Sequence, residues 1–332
     1  MELIKPPKLV PGKSIIGVIA PSGIVEKTWV KQGLKILIHR GYSVKLGSHI
    51  LRRVEDWSAG TEKQRFQDFL RMIYDREISA IFCAIGGFAA TEILPLIGQK
   101  EAEQIRKNPK IMIGYSDISV LLNIFASLGV VCFHGPNLAG LPGWSQQSQE
   151  FLFSLLEGKI NEIGPEWSWV FLKEGKVTGR LLVSNLDGLV ATFGTKFDPL
   201  ETLNPPIILA LEEVKEAKSR LVRWLDSLKA HRSFTKIGGI ILGRFVEIVE
   251  KDYPRWGKGL EIEKIFLGKF ANLKLPIAVL ADLGHAPSKK GIFRLIPSRK
   301  KPHFLTLPIG IKAEFQASSG DCHLSFLEKA VR

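Results

Sequence analysis

Cysteine and long apolar runs are scarce in this chain, and each scarcity removes a class of protein. Three cysteines in 332 residues, Cys83, Cys132 and Cys322, match no metal-cluster spacing, and an odd, sparse set suits a reducing compartment. A disulfide scaffold and a structural zinc site are therefore not expected. No apolar stretch approaches the roughly 18–20 residues needed to span a bilayer, so no membrane partner is expected. The opening MELIKPPKLVPGKS lacks the apolar core and small-residue cleavage site of a secretory leader, and a cytoplasmic location is the expectation. Internal repeats and low-complexity tracts are absent as well.

What is present is ordinary for a globular protein: 45% hydrophobic and 24% charged residues. The length suits two domains of roughly 150 residues each. Lys and Arg number 46 against 33 Asp and Glu, a net charge of +13, and SKKGIFRLIPSRKK (288–301) concentrates six of the positive charges. The other basic residues are spread among acidic ones without a nucleic-acid-binding signature. No specific nucleic-acid partner is expected; the basic balance would instead help attract an acidic substrate.

The first half alternates short apolar strands, expected at 14–20, 43–47, 80–85, 110–114 and 130–134, with helices at 26–40, 61–75, 91–107 and 117–128. Such alternation predicts βαβ units, a mostly parallel Rossmann-like sheet with helices on both faces. Residues 1–150 form this unit, 151–176 are a connection with a short helix near 148–157, 177–310 form a smaller α/β unit, and 311–332 are a tail in which IGIKAEFQAS adds a strand. In the second unit, strands are expected at 178–184, 206–211, 238–243, 276–281, 292–296 and 303–307, and a helix at 216–230. PGKS (11–14) resembles the end of a phosphate-binding loop, but Pro7 stands where that loop requires glycine and a strand follows where it requires a helix.

Ligands of open parallel sheets bind beyond the carboxyl ends of the strands. APSG (20–23), IGGF (85–88), GYSD (114–117) and FHGPN (133–137) all end strands on that one edge. Ser116 lies between an apolar strand and a helix whose Leu121, Ile124, Phe125 and Leu128 share a face. This is the setting of a nucleophile elbow, although Ile118 replaces its second glycine, and a serine here also suits a helix N-cap. A nucleophilic serine needs a base and a group to orient that base. His134 and His285 both end buried strands and remain alternatives for the base. Glu212 and Glu213 follow the strand at 206–211, and alternation would turn one toward the site and the other toward solvent.

The segments IMIGYSD, HGP (134–136), VTGRLLVSNLDGLVATFGT (177–195), ILALEEVKEAKSRLVRWLDSL (208–228), GGIILGRF (238–245) and LPIAVLADLGH (275–285) together resemble the LD-carboxypeptidase family of serine peptidases, which includes murein tetrapeptide carboxypeptidases and microcin C immunity peptidases. The resemblance runs over residues 12–310. It implies Ser116 as nucleophile, Glu212 and His285 as the rest of a triad at the domain interface, no cofactor or metal, a homodimer, and release of a C-terminal D-amino acid, typically D-alanine, from murein-derived peptides during cell-wall recycling. The backbone N–H groups of Asp117 and Gly87 are the expected oxyanion donors, and Gly86, Phe88 and Trp167 the expected substrate contacts. Many carboxypeptidase members carry Arg-Gly-Gly-Tyr-Gly where this chain has Ile85, Gly86, Gly87, Phe88 and Ala89; Val183 and Ser184 likewise replace a glycine pair before Asn185. These departures lean toward the immunity branch, in which Trp167 and Trp169 would stack on a nucleobase, the alternative being that both tryptophans simply pack. A non-catalytic murein-peptide binder is the reading from another class.

Overall fold

A computed structural model of the chain describes residues 2–160, 162–163, 167–249, 261–270, 272–286 and 301–332. The expected strand at 292–296 and nearly all of the basic 288–301 segment lie outside the described residues.

The short apolar runs of the first half assemble as expected into a parallel sheet. Strands β1 (Ile15–Ile19), β2 (Ser43–Leu46), β3 (Ile78–Cys83), β4 (Ile111–Gly114) and β5 (Cys132–His134) take the order β2-β1-β3-β4-β5. The central strands are buried along almost their whole length, which is why they read as continuous apolar runs, whereas β2 is a largely exposed edge. Helix Glu62–Tyr74 opens with a Thr61–Gln64 capping box. The helix expected at 91–107 is instead a 3-10 segment, Ala90–Leu96, and a helix, Gln99–Lys107. Pro95 and Gly98 divide it, because proline lacks the N–H a continuing helix needs.

The second sheet holds β6 (Trp169–Lys173), β7 (Gly175–Asn185), β8 (Ile207–Val214), β9 (Ile237–Val246) and β10 (Ile277–Leu280). Strand β11 (Leu307–Ile309) leaves it and pairs antiparallel with β5 in the first sheet. Only Leu307 of the strand expected at 303–307 is therefore in it. Strands β12 (Lys312–Ser318) and β13 (Asp321–Phe326) return as a hairpin, giving the order β13-β12-β7-β8-β9-β10-β6 with β7 to β10 parallel. Its turn places Gly320 at φ +90°, a conformation glycine adopts without strain. Thus the 151–176 connection holds a strand, and the 311–332 segment two.

Helix Ser119–Ser127 joins the two units. All of its residues are buried, not only the one face that periodicity marks, because it packs on β4 and β5 and also on β7 and the short helices Leu186–Val190 and Pro199–Thr202. Polar pairs fix that contact: Asn123 Nδ2 donates to the Gly188 carbonyl at 3.0 Å, and Ser119 Oγ accepts from Asn185 N at 3.0 Å. The carboxyl ends of both sheets are thereby held beside the start of this helix.

Candidate active site

The turn after β4 is built around its serine. Tyr115 is extended and Ser116 takes φ +66°, a left-handed conformation uncommon outside glycine and typical of a strained strand-to-helix turn. Asn137, from FHGPN, clamps the preceding residue: its Oδ1 accepts from Tyr115 N and its Nδ2 donates to Tyr115 O, both at 3.3 Å. Asp117 ties two further strand ends to the same turn, accepting from the Ser22 hydroxyl and from Ala90 N at 2.9 Å. Burial pushes its carboxyl up, and these donors offset part of the push. The four strand ends picked out in the sequence do converge, three of them through one aspartate.

Gly86 and Gly87 are the near wall. A Cβ on Gly86 would lie 2.9 Å from Ser116 Cβ and 3.0 Å from its Oγ. One on Gly87, at φ +151°, would lie 2.5 Å from Ser22 Oγ and 2.6 Å from Gly23 N. Gly86→Ala should consequently lower the rate of any acylation at Ser116 by roughly 10–100-fold through misplacement of the hydroxyl, with circular dichroism unchanged. Labelling kinetics with a serine-directed phosphonate measure this, and a wild-type rate would contradict it.

Opposite this wall stands the β8 carboxylate. Glu212 is fully buried; its Oε2 accepts from His285 Nδ1 at 2.5 Å and from His285 N at 3.3 Å. Burial alone would raise its carboxyl, but the His285 and His134 imidazoles outweigh that and hold it well below the usual carboxylate range. Gly284, at φ +91°, makes this approach possible, since a Cβ there would sit 2.6 Å from both Glu212 Cβ and Oε2. Arg244 on β9, itself buried, fixes the loop: it donates to Gly284 O at 3.3 Å, to Asp282 Oδ1 at 3.2 Å and to His303 O at 3.0 Å. Burial pushes the Arg244 guanidinium down to about 10.

Glu213 does not face solvent, as alternation along the strand suggested. It is buried, accepting from Asn185 Nδ2 and Val214 N at 2.8 Å and from Asp187 N at 2.9 Å. Burial and the neighbouring Glu212 charge push its carboxyl up to about 8. It organises the Asn185 turn that meets helix Ser119–Ser127.

Ser116, His285, Gly86, Gly87 and Phe88 line one cavity of about 370 Å³, together with Tyr115, Asn137, Asp56 and Trp57. Phe88 is 81% and Trp57 49% exposed, so the cavity offers two open aromatic surfaces. Tyr115 packs against the His285 ring, centroids 4.8 Å apart. Trp167 is not part of this lining; it is buried, edge-to-face with Phe151 at 5.3 Å. Trp169 stacks on Phe315 within the second sheet. Trp167 is thus packed in the interior, whereas Trp169 is partly exposed. Asn137, Gly284 and Arg244 escaped the sequence reading as site residues, although all three sit in segments it marked, because only spatial proximity assigns them a task.

Among the described residues, the one grouping whose donor atoms lie close enough to share an ion is Asp198, Glu201 and His231. Its members are already partnered, His231 Nε2 with Asp198 at 2.8 Å and Glu201 with Arg232 outside the group. No described helix is long and apolar enough to cross a membrane.

The chain matches the model of the LD-carboxypeptidase N-terminal domain over residues 16–135 and that of the C-terminal domain over residues 178–295. The murein tetrapeptide carboxypeptidase of Pseudomonas aeruginosa is 31% identical, over 83% of this chain and 89% of that protein. The microcin C7 self-immunity protein MccF of Escherichia coli is 30% identical, over 68% of this chain and 73% of its own length. The solved structure of MccF in complex with glutamyl sulfamoyl guanosine superposes with a TM-score of 0.82 at 24% identity, covering 99% of this chain and 100% of that one. With both domains matched in order, and identity of this level over most of its length, the chain belongs to the LD-carboxypeptidase family of hydrolases.

Proposed function

We propose that this protein is a serine-type LD-carboxypeptidase that removes the C-terminal D-residue of murein-derived tetrapeptides, working as a cytoplasmic homodimer. The observation that carries the reading is the shared cavity: a serine in a strained turn and an imidazole whose Nδ1 is held at 2.5 Å by a buried carboxylate both border it. Ser116 Oγ attacks the scissile carbonyl while His285 Nε2 takes its proton, and the proton then passes to the leaving amine. Water repeats the sequence on the acyl-enzyme. Glu212 keeps the proton of the neutral ring on Nδ1, leaving Nε2 free as base, and stabilises the imidazolium that forms. The N–H groups of Asp117 and Gly87 receive the developing oxyanion, Gly87 lacking the side chain that would block approach.

An immunity-type peptidase acting on peptidyl-nucleotide conjugates is the second reading. The exposed rings of Trp57 and Phe88 favour it, because flat apolar faces suit a nucleobase as well as a peptide stem. The two readings differ in how they treat a free terminal carboxylate. An exopeptidase must pair that charge with fixed donors, whereas the basic surface adds only longer-range attraction that salt weakens. The expected result is cleavage of a tetrapeptide ending in D-alanine, little cleavage of its amide, and a modest rise in KM with salt at nearly constant kcat. Equal kcat/KM for acid and amide would contradict the carboxypeptidase reading and favour the conjugate-cleaving one.

A further inference from the structure

His134 is the other imidazole at this site, and the triad leaves it without a task. It ends β5, in register with Gly114 of β4 and Leu307 of β11, so it belongs to the sheet that carries Ser116. Glu212 belongs to the other sheet. The two side chains are both fully buried, with His134 Nε2 3.8 Å from Glu212 Oε1. Neither atom has a hydrogen-bond partner among the described residues, and neither has His134 Nδ1.

A buried carboxylate oxygen without a donor costs more than a neutral orphan. The donor that faces it is an imidazole, held by Phe304 stacked at 5.7 Å and Tyr115 edge-on at 6.1 Å. Glu212 is thus bracketed, His285 on Oε2 and His134 on Oε1. We propose that His134 is a positioning residue which donates from Nε2 to Glu212 Oε1, directly or through one water, and so anchors the second-sheet carboxylate to the sheet that bears the nucleophile. The inference rests on the triad reading only for its kinetic consequence; the hydrogen bond itself does not need catalysis.

Other charged or titratable groups around the pair are Tyr115 beyond β4, Glu213 on β8, Arg244 on β9, and Asp282 and His285 after β10. Removing the His134 donor leaves these in place. The Glu212 charge is then balanced more by His285, which favours the imidazolium form of that ring relative to wild type. A structural loss would scale the rate equally at all pH values, whereas this loss moves the acid limb to higher pH.

The test has two independent parts. In wild-type protein labelled with ¹⁵N-histidine, long-range ¹H–¹⁵N spectra should show the neutral His134 ring protonated at Nε2; a ring protonated only at Nδ1 would overturn the proposal whether or not any variant folds. The rate of Ser116 labelling by a phosphonate is then followed against pH. His134→Phe should shift the acid limb upward by about half a unit or more, while His134→Gln, which keeps an N–H of similar reach, should hold it within ~0.2 unit. Superimposable limbs for wild type and His134→Phe would overturn the positioning role. Failure of wild-type Ser116 to label at any pH, with the Nε2 tautomer present, would count against the serine-hydrolase reading and leave the hydrogen bond standing.

Discussion

Glu212→Gln should lower kcat by on the order of 10³–10⁴-fold with the fold intact, while Glu213→Gln, one residue along the same strand, should keep kcat within roughly tenfold and lose stability. Only Glu212 touches His285, at 2.5 Å. Glutamine preserves its shape but removes the charge that, in the proposed triad, fixes the tautomer and stabilises imidazolium. Glu213 accepts three N–H donors, and a glutamine NH₂ group would oppose at least one of them. Steady-state kinetics and thermal melting of both variants separate the two roles, and equal kinetic effects would contradict the assignment. A pH dependence follows. Because the folded-state carboxyl of Glu212 lies below its ordinary value of 4.5, its stabilising contribution is complete above that pH and is lost as pH falls through the folded value. The stability difference between wild type and Glu212→Gln should therefore shrink as pH falls through the acid range.

Gly284→Ala should reduce kcat by about 10²-fold or more and lower the melting temperature by several degrees. Two separate causes act at that position. The backbone is at φ +91°, and an added Cβ would stand 2.6 Å from Glu212 Cβ and Oε2. Glu212 Oε2 could swing aside, but Cβ stands next to the β8 backbone and cannot, so the loop or the strand must shift and carry the His285 contact with it. Gly268 supplies the control. It lies in helix Ile262–Phe270 with nothing within 4 Å of an added Cβ, so Gly268→Ala should be neutral or stabilising by up to about 1 kcal/mol. Wild-type kinetics for Gly284→Ala would show that the Gly-His step is not what places the base.

Much of this arrangement could be read from the residues because the parallel strands are buried on both faces and carry unbroken apolar runs, such as Ile111, Met112 and Ile113. Less legible were elements whose pattern is set by distant partners. Strand β6 exists because Trp169–Lys173 pairs antiparallel with β10, a partner about a hundred residues away, and β11 exists because β5 offers an open edge. Strand β6 has no local signal stronger than a loop's, and the strand expected at 303–307 meets β11 only at Leu307. The site shows the same division. Ser116 stood out through its strand–turn–helix setting, and resemblance selected His285 over His134. Local sequence could not show that Glu212 lies between both imidazoles, since that depends on two sheets meeting through helix Ser119–Ser127. Trp167, expected at the substrate, is core because an apolar aromatic signal does not distinguish a rim from an interior.

The central claim is that Ser116 is a nucleophile activated by His285, and intact-protein mass after exposure to a serine-directed phosphonate tests it most directly. The expected result is a single stoichiometric adduct on wild type, mapped to the Ser116 peptide, absent from Ser116→Ala and slowed by at least on the order of 10³-fold in His285→Ala. An adduct on another serine, or one that forms at the wild-type rate without His285, would contradict it.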